Sequence, residues 1–359
     1  MTTFLQLHLL TSYPPACLNR DDLNRPKSAK MGGVDRLRIS SQSMKRAWRT
    51  SAAFETAFKD HLGTRTKLQG VQIFKQFTEA GIKEKDAREW AQAIVSRFGK
   101  LKGKKEGKPL NDLEIEQLAH FSPEEEAAIQ ALLDRLIQAR RAPEEAELSL
   151  LRKQHTAVDI ALFGRMLADS PAFNTEAACQ VAHAITVHRA AVEDDFFTAV
   201  DDLNTHEEDA GSGHMGEQGF GAGLFYQYVC LDCDRLRENL KGDENLASRA
   251  IQALIDAAAT VAPAGKQNSF ASRAWAYYAL AEKGSRQPRA LSLAFMNPVG
   301  GHGGGMMVNA VDALETMRSN LDKVYYRGLA LDSRHINAVT GEGDFEELKT
   351  WAAASGSGL

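Results

Sequence analysis

RLRISSQSMKRAWRTS, residues 36–51, decides how the rest of the chain is read. It opens as a short strand, RLRI, passes through hydroxyl and amide side chains, and then turns helical. The pattern predicts a helix from about Ser41 to Phe58. Ser40, Ser41 and Ser43 are N-cap residue types, whose side-chain oxygens accept from the free N–H groups of a first turn. The same N–H groups bind anions. Lys45, Arg46 and Arg49 follow as one basic face over about two turns. They fall where the positive end of the helix dipole disfavours cations. Trp48 and Ala47 are placed to turn inward. Two readings are open here: a helix start that binds phosphate, the bound anion offsetting the poor fit to the dipole, or a solvated basic face.

The chain around this stretch has 359 residues, enough for one large domain or two smaller ones. With 43% hydrophobic and 25% charged residues it has the composition of an ordinary soluble globular protein. No apolar run reaches the roughly 18 residues that would span a bilayer, so no membrane partner is expected. The opening MTTFLQLHLLTSYPP lacks a basic leader and reads as a first strand. Four cysteines in a chain this long do not make a disulfide framework, and a cytoplasmic location is expected. The net charge of −4 argues against nucleic acid until its distribution is read: residues 1–50 hold nine Lys/Arg against three acids. A local basic patch on an acidic body binds a polyanion in one place and repels it elsewhere.

Period-2 alternation predicts strands over 156–166 and 177–190, and further strands are read over 2–12, 223–233 and 288–297. Residues 65–150 instead show long amphipathic helices broken near 99–110, which reads as a helical insertion. Further helices are expected over 244–263 and from Met306 onward. Strands interleaved with helices point to an α+β fold with one sheet.

Other stretches bear on chemistry. CLNRDDLNRPK (17–27) carries Asp21 and Asp22, candidates for a metal loop or for acid–base work. Adjacent carboxylates on an extended chain point apart, and no second acidic motif joins them, so hydrogen bonding within the loop is the better reading. CLDC (230–233) offers two of the four ligands zinc wants, and ordinary strand-end cysteines are the simpler assignment. No metal and no cofactor are expected. NPVGGHGGGMM (297–307) lacks the Lys and Ser/Thr of a phosphate loop and reads as a flexible connection. GKLKGKKEGKPL (99–110) adds five lysines in a glycine-broken loop. Residues 192–223 carry Phe196, Phe197 and Thr198 into a long polar, glycine-rich segment, which reads as a protruding arm.

LNRDDLN (18–24), the glycine pair at 32–33, RLRISSQSMKRAWR (36–49), DIALFGRM (159–166), AHAITVH (182–188), DFFTAVDDL (195–203) and GKQ (265–267) together resemble the CasC-type backbone subunits of the type I-E CRISPR surveillance complex, Cascade. The resemblance runs in order over nearly the whole chain. It implies a modified RRM-like (ferredoxin-like) palm from residues 1–59 and 181–359, a helical fingers insertion over 60–180 and a β-hairpin thumb over 193–223. It further implies that the chain is not an enzyme. Its implied partners are CRISPR RNA, target DNA, other copies of itself and the other Cascade subunits. The palm contacts then fall on Arg20, Lys27, Ser40, Gln42, Lys45, Arg46 and Arg49, and the contacts at displaced bases on Met166, Phe197 and Thr198. The competing expectation is RNA cleavage through Asp21 or Asp22. The thumb departs from the family in being longer and more acidic at 206–209. Periodicity alone would make Met166 and Phe197 core residues; the resemblance makes them apolar wedges between bases.

Overall fold

The computed structural model describes residues 2–199, 214–301, 303 and 305–354. In chain order the strands are β1 (Phe4–Ala16), β2 (Ser28–Met31), β3 (Val34–Ile39), β4 (Thr64–Thr66), β5 (Ala119–Phe121), β6 (Cys179–Val181), β7 (Ala184–Thr186), β8 (Glu193–Ala199), β9 (His214–Asp232), β10 (Ala276–Gly284) and β11 (Asp332–Asn337). The helices are α1 (Ser41–Arg49), α2 (Ala52–Ala57), α3 (Gln69–Glu79), α4 (Glu84–Val95), α5 (Pro123–Ala139), α6 (Val158–Phe163), α7 (Cys233–Asn239), α8 (Glu244–Thr260), α9 (Gln267–Phe270), α10 (Met306–Tyr326) and α11 (Phe345–Ala353). The molecule is a mixed α+β protein with an antiparallel sheet. It divides into two compact units, Met1–Phe54 with Gln180–Leu231 and Ile251–Leu359, and Glu55–Cys179 with Asp232–Ala250.

The first unit is built on a sheet in the order β11-β10-β1-β9-β7-β3-β2, with β6 and β8 pairing β9 off this path. Strands β1 and β10 run antiparallel and are buried on both faces, which is why LQLHLL and AYYALA read as near-continuous apolar runs. Helix α10 lays Ala310 and Leu314 on Leu10, Leu224, Tyr226 and Leu280 of the sheet. Strands β2 and β3 are joined by Gly32 and Gly33, both at positive φ (61° and 78°), the geometry a two-residue hairpin turn of the primed type demands.

Beneath the sheet, Arg36 is fully buried and donates to the carbonyls of Thr186 at 3.0 Å and Phe295 at 2.9 Å. A second buried network centres on Glu282, which meets His8 at 3.3 Å, Arg289 at 2.8 Å and Arg318 at 2.9 Å. Burial pushes the Glu282 carboxyl up, yet its hydrogen bond to His8 and the guanidinium of Arg289 outweigh that and hold it at about 2.

In the second unit α3, α4 and α5 close over a core that includes Phe77, Ile94, Phe121, Leu132 and Leu136. Helix α5 starts in a capping box: Glu125 N donates to Ser122 Oγ, and Ser122 N donates back to Glu125 Oε2 at 2.9 Å.

Several local expectations are corrected. VDIALF is the helix α6 rather than a strand; Val158–Leu162 are all buried, so no one-sided apolar stripe betrays its period. PRALSLAFMN contains no strand but a 3-10 turn over Ser292–Phe295, pinned from inside by buried Phe295. Residues 177–190 form two three-residue strands, β6 and β7, instead of one. The helix expected over 41–58 breaks after Arg49. Thr50 N still donates to Arg46 O at 3.1 Å, joined by its own Oγ1, but Ser51 N turns to Trp48 O at 3.1 Å, as does Ser51 Oγ at 2.8 Å. Ser51 Oγ then accepts from Phe54 N of α2, so the i→i−4 ladder stops here.

Candidate nucleic-acid interface

The break after Arg49 reverses the electrostatic puzzle of α1. Being nine residues long, the helix carries Arg46 and Arg49 in its last turn, where the dipole favours cations. No acidic residue occupies its first turn. Ser40 caps it by accepting from Ser43 N at 3.3 Å. Buried Trp48 and Met44 hold one face inward, leaving Gln42 and Arg46 exposed on the other.

The loop after β1 meets this helix. Asn19 Oδ1 accepts from Ser40 N at 2.8 Å, and Asn19 O accepts from Lys27 N at 2.8 Å. One asparagine thus fixes the helix start against both ends of the loop. Asp21 Oδ1 accepts from Leu23 N and Arg25 N, each at 2.9 Å, and so shapes the turn. Between loop and helix lies a groove of about 360 Å³ lined by Asn19, Arg20, Asp21, Ser43, Arg46 and Gly265, among others. Gly265 is required: a Cβ there would sit 2.2 Å from Leu18 O. Among the described residues no carboxylate lies within ion-pair distance of Arg20, Lys27, Arg38 or Arg46.

The basic surface continues onto the sheet and meets the root of the β8–β9 hairpin, whose own strands carry acids and no Lys or Arg among the described residues. Arg38 Nη1 donates to His183 Nδ1 at 2.7 Å. Burial, then the charges of Arg38 and Lys27, push the His183 imidazolium down, so the ring is an acceptor there. Lys266 Nζ donates to Gln218 Oε1 on β9 at 2.9 Å, and Arg25 pairs with Asp194 on β8 at 2.8 Å. These contacts tie the root of the hairpin to the groove. Along it Phe197 stands opposite Gly216, where a Cβ would meet the Phe197 ring at 2.4 Å; the glycine lets the ring lie across the strand. Phe196 is 65% exposed and Phe197 40% exposed, so neither is core. Thr198 is exposed on the same strand. The acidic stretch 206–209 lies outside the described residues.

Met166 belongs to the second unit and is 74% exposed. Its neighbours are clamped. Arg165 exchanges backbone hydrogen bonds with Thr175 at 3.0 Å, and its buried guanidinium reaches Glu125 at 2.6 Å. On the other side Leu167 N donates to Asn174 Oδ1 at 2.6 Å. The thioether is therefore presented outward from a fixed backbone.

Of the candidate residues, Arg20, Ser40, Gln42, Lys27, Arg46, Lys45 and Arg49 gather around the loop and α1, and Phe197 and Thr198 stand on the hairpin rooted beside them. Sequence reasoning missed Asn19, Arg38, His183 and Lys266 as parts of this surface. All four sit inside quoted motifs, LNRDDLN, RLRISSQSMKRAWR, AHAITVH and GKQ, and Arg38 is one of the nine cations; nothing else in the sequence marks them. Arg36, by contrast, belongs to the core. Cys230 and Cys233 are buried at the junction of β9 and α7, where Asp232 caps the helix. Among the described residues no group of three His, Cys, Asp or Glu is arranged to hold a metal, and no helix is long and apolar enough to cross a membrane.

A profile of the CT1975-like protein family matches residues 5–354. Among solved structures, a chain of a "CRISPR RNA-guided surveillance complex, pre-nicking" is similar with a TM-score of 0.81 and 31% identity, over 96% of this chain and 95% of that one. A chain of a second "CRISPR RNA-guided surveillance complex" has a TM-score of 0.72 at 23% identity, over 98% of this chain and 100% of that one, a likeness of fold. No curated protein matches the chain.

Proposed function

Because the chain belongs to the CT1975-like protein family, we propose that it is the RNA-holding backbone subunit of a Cascade-type CRISPR RNA-guided surveillance complex. The observation that carries this reading is the groove in which Arg20 and Arg46, distant in sequence, share one wall system, neither with a carboxylate within ion-pair distance among the described residues. A phosphodiester backbone supplies the missing counter-charge. Asn19, Ser43 and Gln42 add neutral donors and acceptors for phosphate and sugar oxygens. None of this reads a base edge, as a guide whose sequence varies requires.

In this reading the sheet of the first unit is a modified RRM-like palm, residues 60–180 are the fingers and 193–223 the thumb. Phe197, Thr198 and Met166 meet bases displaced from the stack; a base stacked on an aromatic ring such as Phe197 is worth about 1–3 kcal/mol. Copies of the chain line up along one guide, and the stretches between displaced bases stay free to pair with target DNA. The chain works by holding rather than by cleaving, and Asp21 serves the turn.

The test is RNA affinity measured against salt for the wild type and for Arg20→Ala/Arg46→Ala. Each lost phosphate contact makes the slope of log K on log salt shallower by about 0.7 for single strands, so the double variant loses about 1.4. An unchanged slope would remove the phosphate role.

A further inference from the structure

The first unit carries a second concave surface that the RNA reading does not use. It is a cavity of about 450 Å³ between α10 and the β10–β11 edge of the sheet. Strand β11 is outermost there, at the opposite end of the strand order from the β2–β3 pair, of which β3 leads into α1. The apolar lining comes from Met307, Val308, Val311 and Val339, and one wall is the Tyr278 ring stacked on His335 with centroids 6.1 Å apart. Val308 and Val339 are left partly exposed to water.

The charges around it do not balance. Arg318 is the cavity's fixed cation, and its donors are already taken by Glu282 at 2.9 Å, Glu315 at 3.2 Å and Ser333 Oγ at 2.7 Å. Glu315 in turn accepts from the Tyr278 hydroxyl. Among the described residues neither Asp312 nor Glu342 has a cation within ion-pair distance, and the Glu342 carboxylate accepts from Thr340 Oγ1 at 3.0 Å. Two uncompensated carboxylates therefore stand over an apolar, aromatic-walled hollow. A polyanion is repelled. A hydrated metal ion gains nothing from the valines and the stacked rings. The complement is a cation on an aliphatic stem, whose methylenes cover apolar surface while the head meets carboxylates and an aromatic face.

We propose that this cavity is a protein-docking site that receives a lysine or arginine side chain from another chain of the assembly. The proposal rests on the chain being part of a multi-protein complex, and its test is separable from the RNA test. Carboxylates are labelled with carbodiimide and glycine ethyl ester in the isolated chain and in the purified RNA–protein complex. Asp312 and Glu342 are expected to label about tenfold more slowly in the complex, and Asp312→Lys/Glu342→Lys to weaken association with the other proteins by about tenfold or more. RNA affinity of that variant stays at the wild-type value, because the groove around Arg46 is untouched. Equal labelling of the two carboxylates in isolated chain and complex overturns the proposal. So does equal protection of the isolated chain by RNA alone or by spermidine, which would make the occupant a polynucleotide-linked effect or a small polyamine.

Discussion

Arg36 and Arg46 lie ten positions apart in one basic run and do opposite work. Arg36 is sealed under the sheet, where burial pushes its guanidinium down and backbone carbonyls satisfy it. Arg46 is exposed on the groove. Their charges are identical in the sequence, so a count of nine cations overstates the patch; only the strand period, which sends Leu37 and Ile39 into the core, hinted that this stretch is buried at all. Denaturant unfolding separates the two. Arg36→Met leaves the carbonyls of Thr186 and Phe295 without donors and costs about 3 kcal/mol or more, while Arg46→Ala stays within about 0.5 kcal/mol. Equal effects would mean the two roles are misassigned. The carboxylates of the neighbouring loop also split: Asp21 shapes the turn through two N–H groups, and exposed Asp22 is the one left for chemistry. Incubating the assembled complex with complementary RNA and Mg²⁺ is expected to yield no cleavage; cleavage lost in Asp22→Ala would establish the nuclease alternative.

Elements were legible where one face is wet. Helix α10, the basic helix α1 and the arm that became the β8–β9 hairpin all show in the sequence, because polar and apolar residues separate by period. Helix α6 did not show, since burial on all sides erases the period. The end of α1 was missed for a different reason: Ser51 turns its N–H and hydroxyl to Trp48 O, a local competition that composition does not reveal. Gly265 makes a prediction at this scale. In Gly265→Ala the new Cβ clashes with Leu18 O, which displaces the GKQ segment from Gln218 and the groove. RNA affinity should fall, by about tenfold if one charged contact is lost, with little change in the far-ultraviolet circular dichroism; unchanged affinity would detach this segment from the interface. Helical packing in the second unit has a pH signature. Burial, then the charge of Arg165, lowers the His155 imidazolium from 6.5 to about 4. The unfolded chain binds that proton first, so stability is full above pH 6.5 and falls as pH drops from 6.5 to about 4. His155→Gln should flatten unfolding free energy across that window relative to wild type. The buried Glu282 network adds to the acid side: its carboxyl acts between 4.5 and about 2, and His8, lowered from 6.5 by burial, loses stability on the same side as His155, so His155→Gln removes part of the slope.

At the scale of the whole molecule, the family was legible from ordered motifs spread along the chain, and the family profile and the similar solved structures bear that resemblance out. The class, mixed α and β with an antiparallel sheet, was legible from alternating periods. The strand order was not. β9 lies between β1 and β7, pairings that join residues some two hundred positions apart in one case and forty in the other, and no local pattern encodes them. The groove depends on that order, because it brings the loop after β1 against the helix after β3. The proposed surface recognises an RNA backbone without base readout. The direct measurement is the affinity of the purified chain for two single-stranded RNAs of equal length and unrelated sequence, each titrated against salt. Affinities within about threefold of one another and parallel salt slopes are expected, since phosphate contacts carry no sequence information. Discrimination between the two sequences by about 10³ or more, the range of specific recognition, would contradict it.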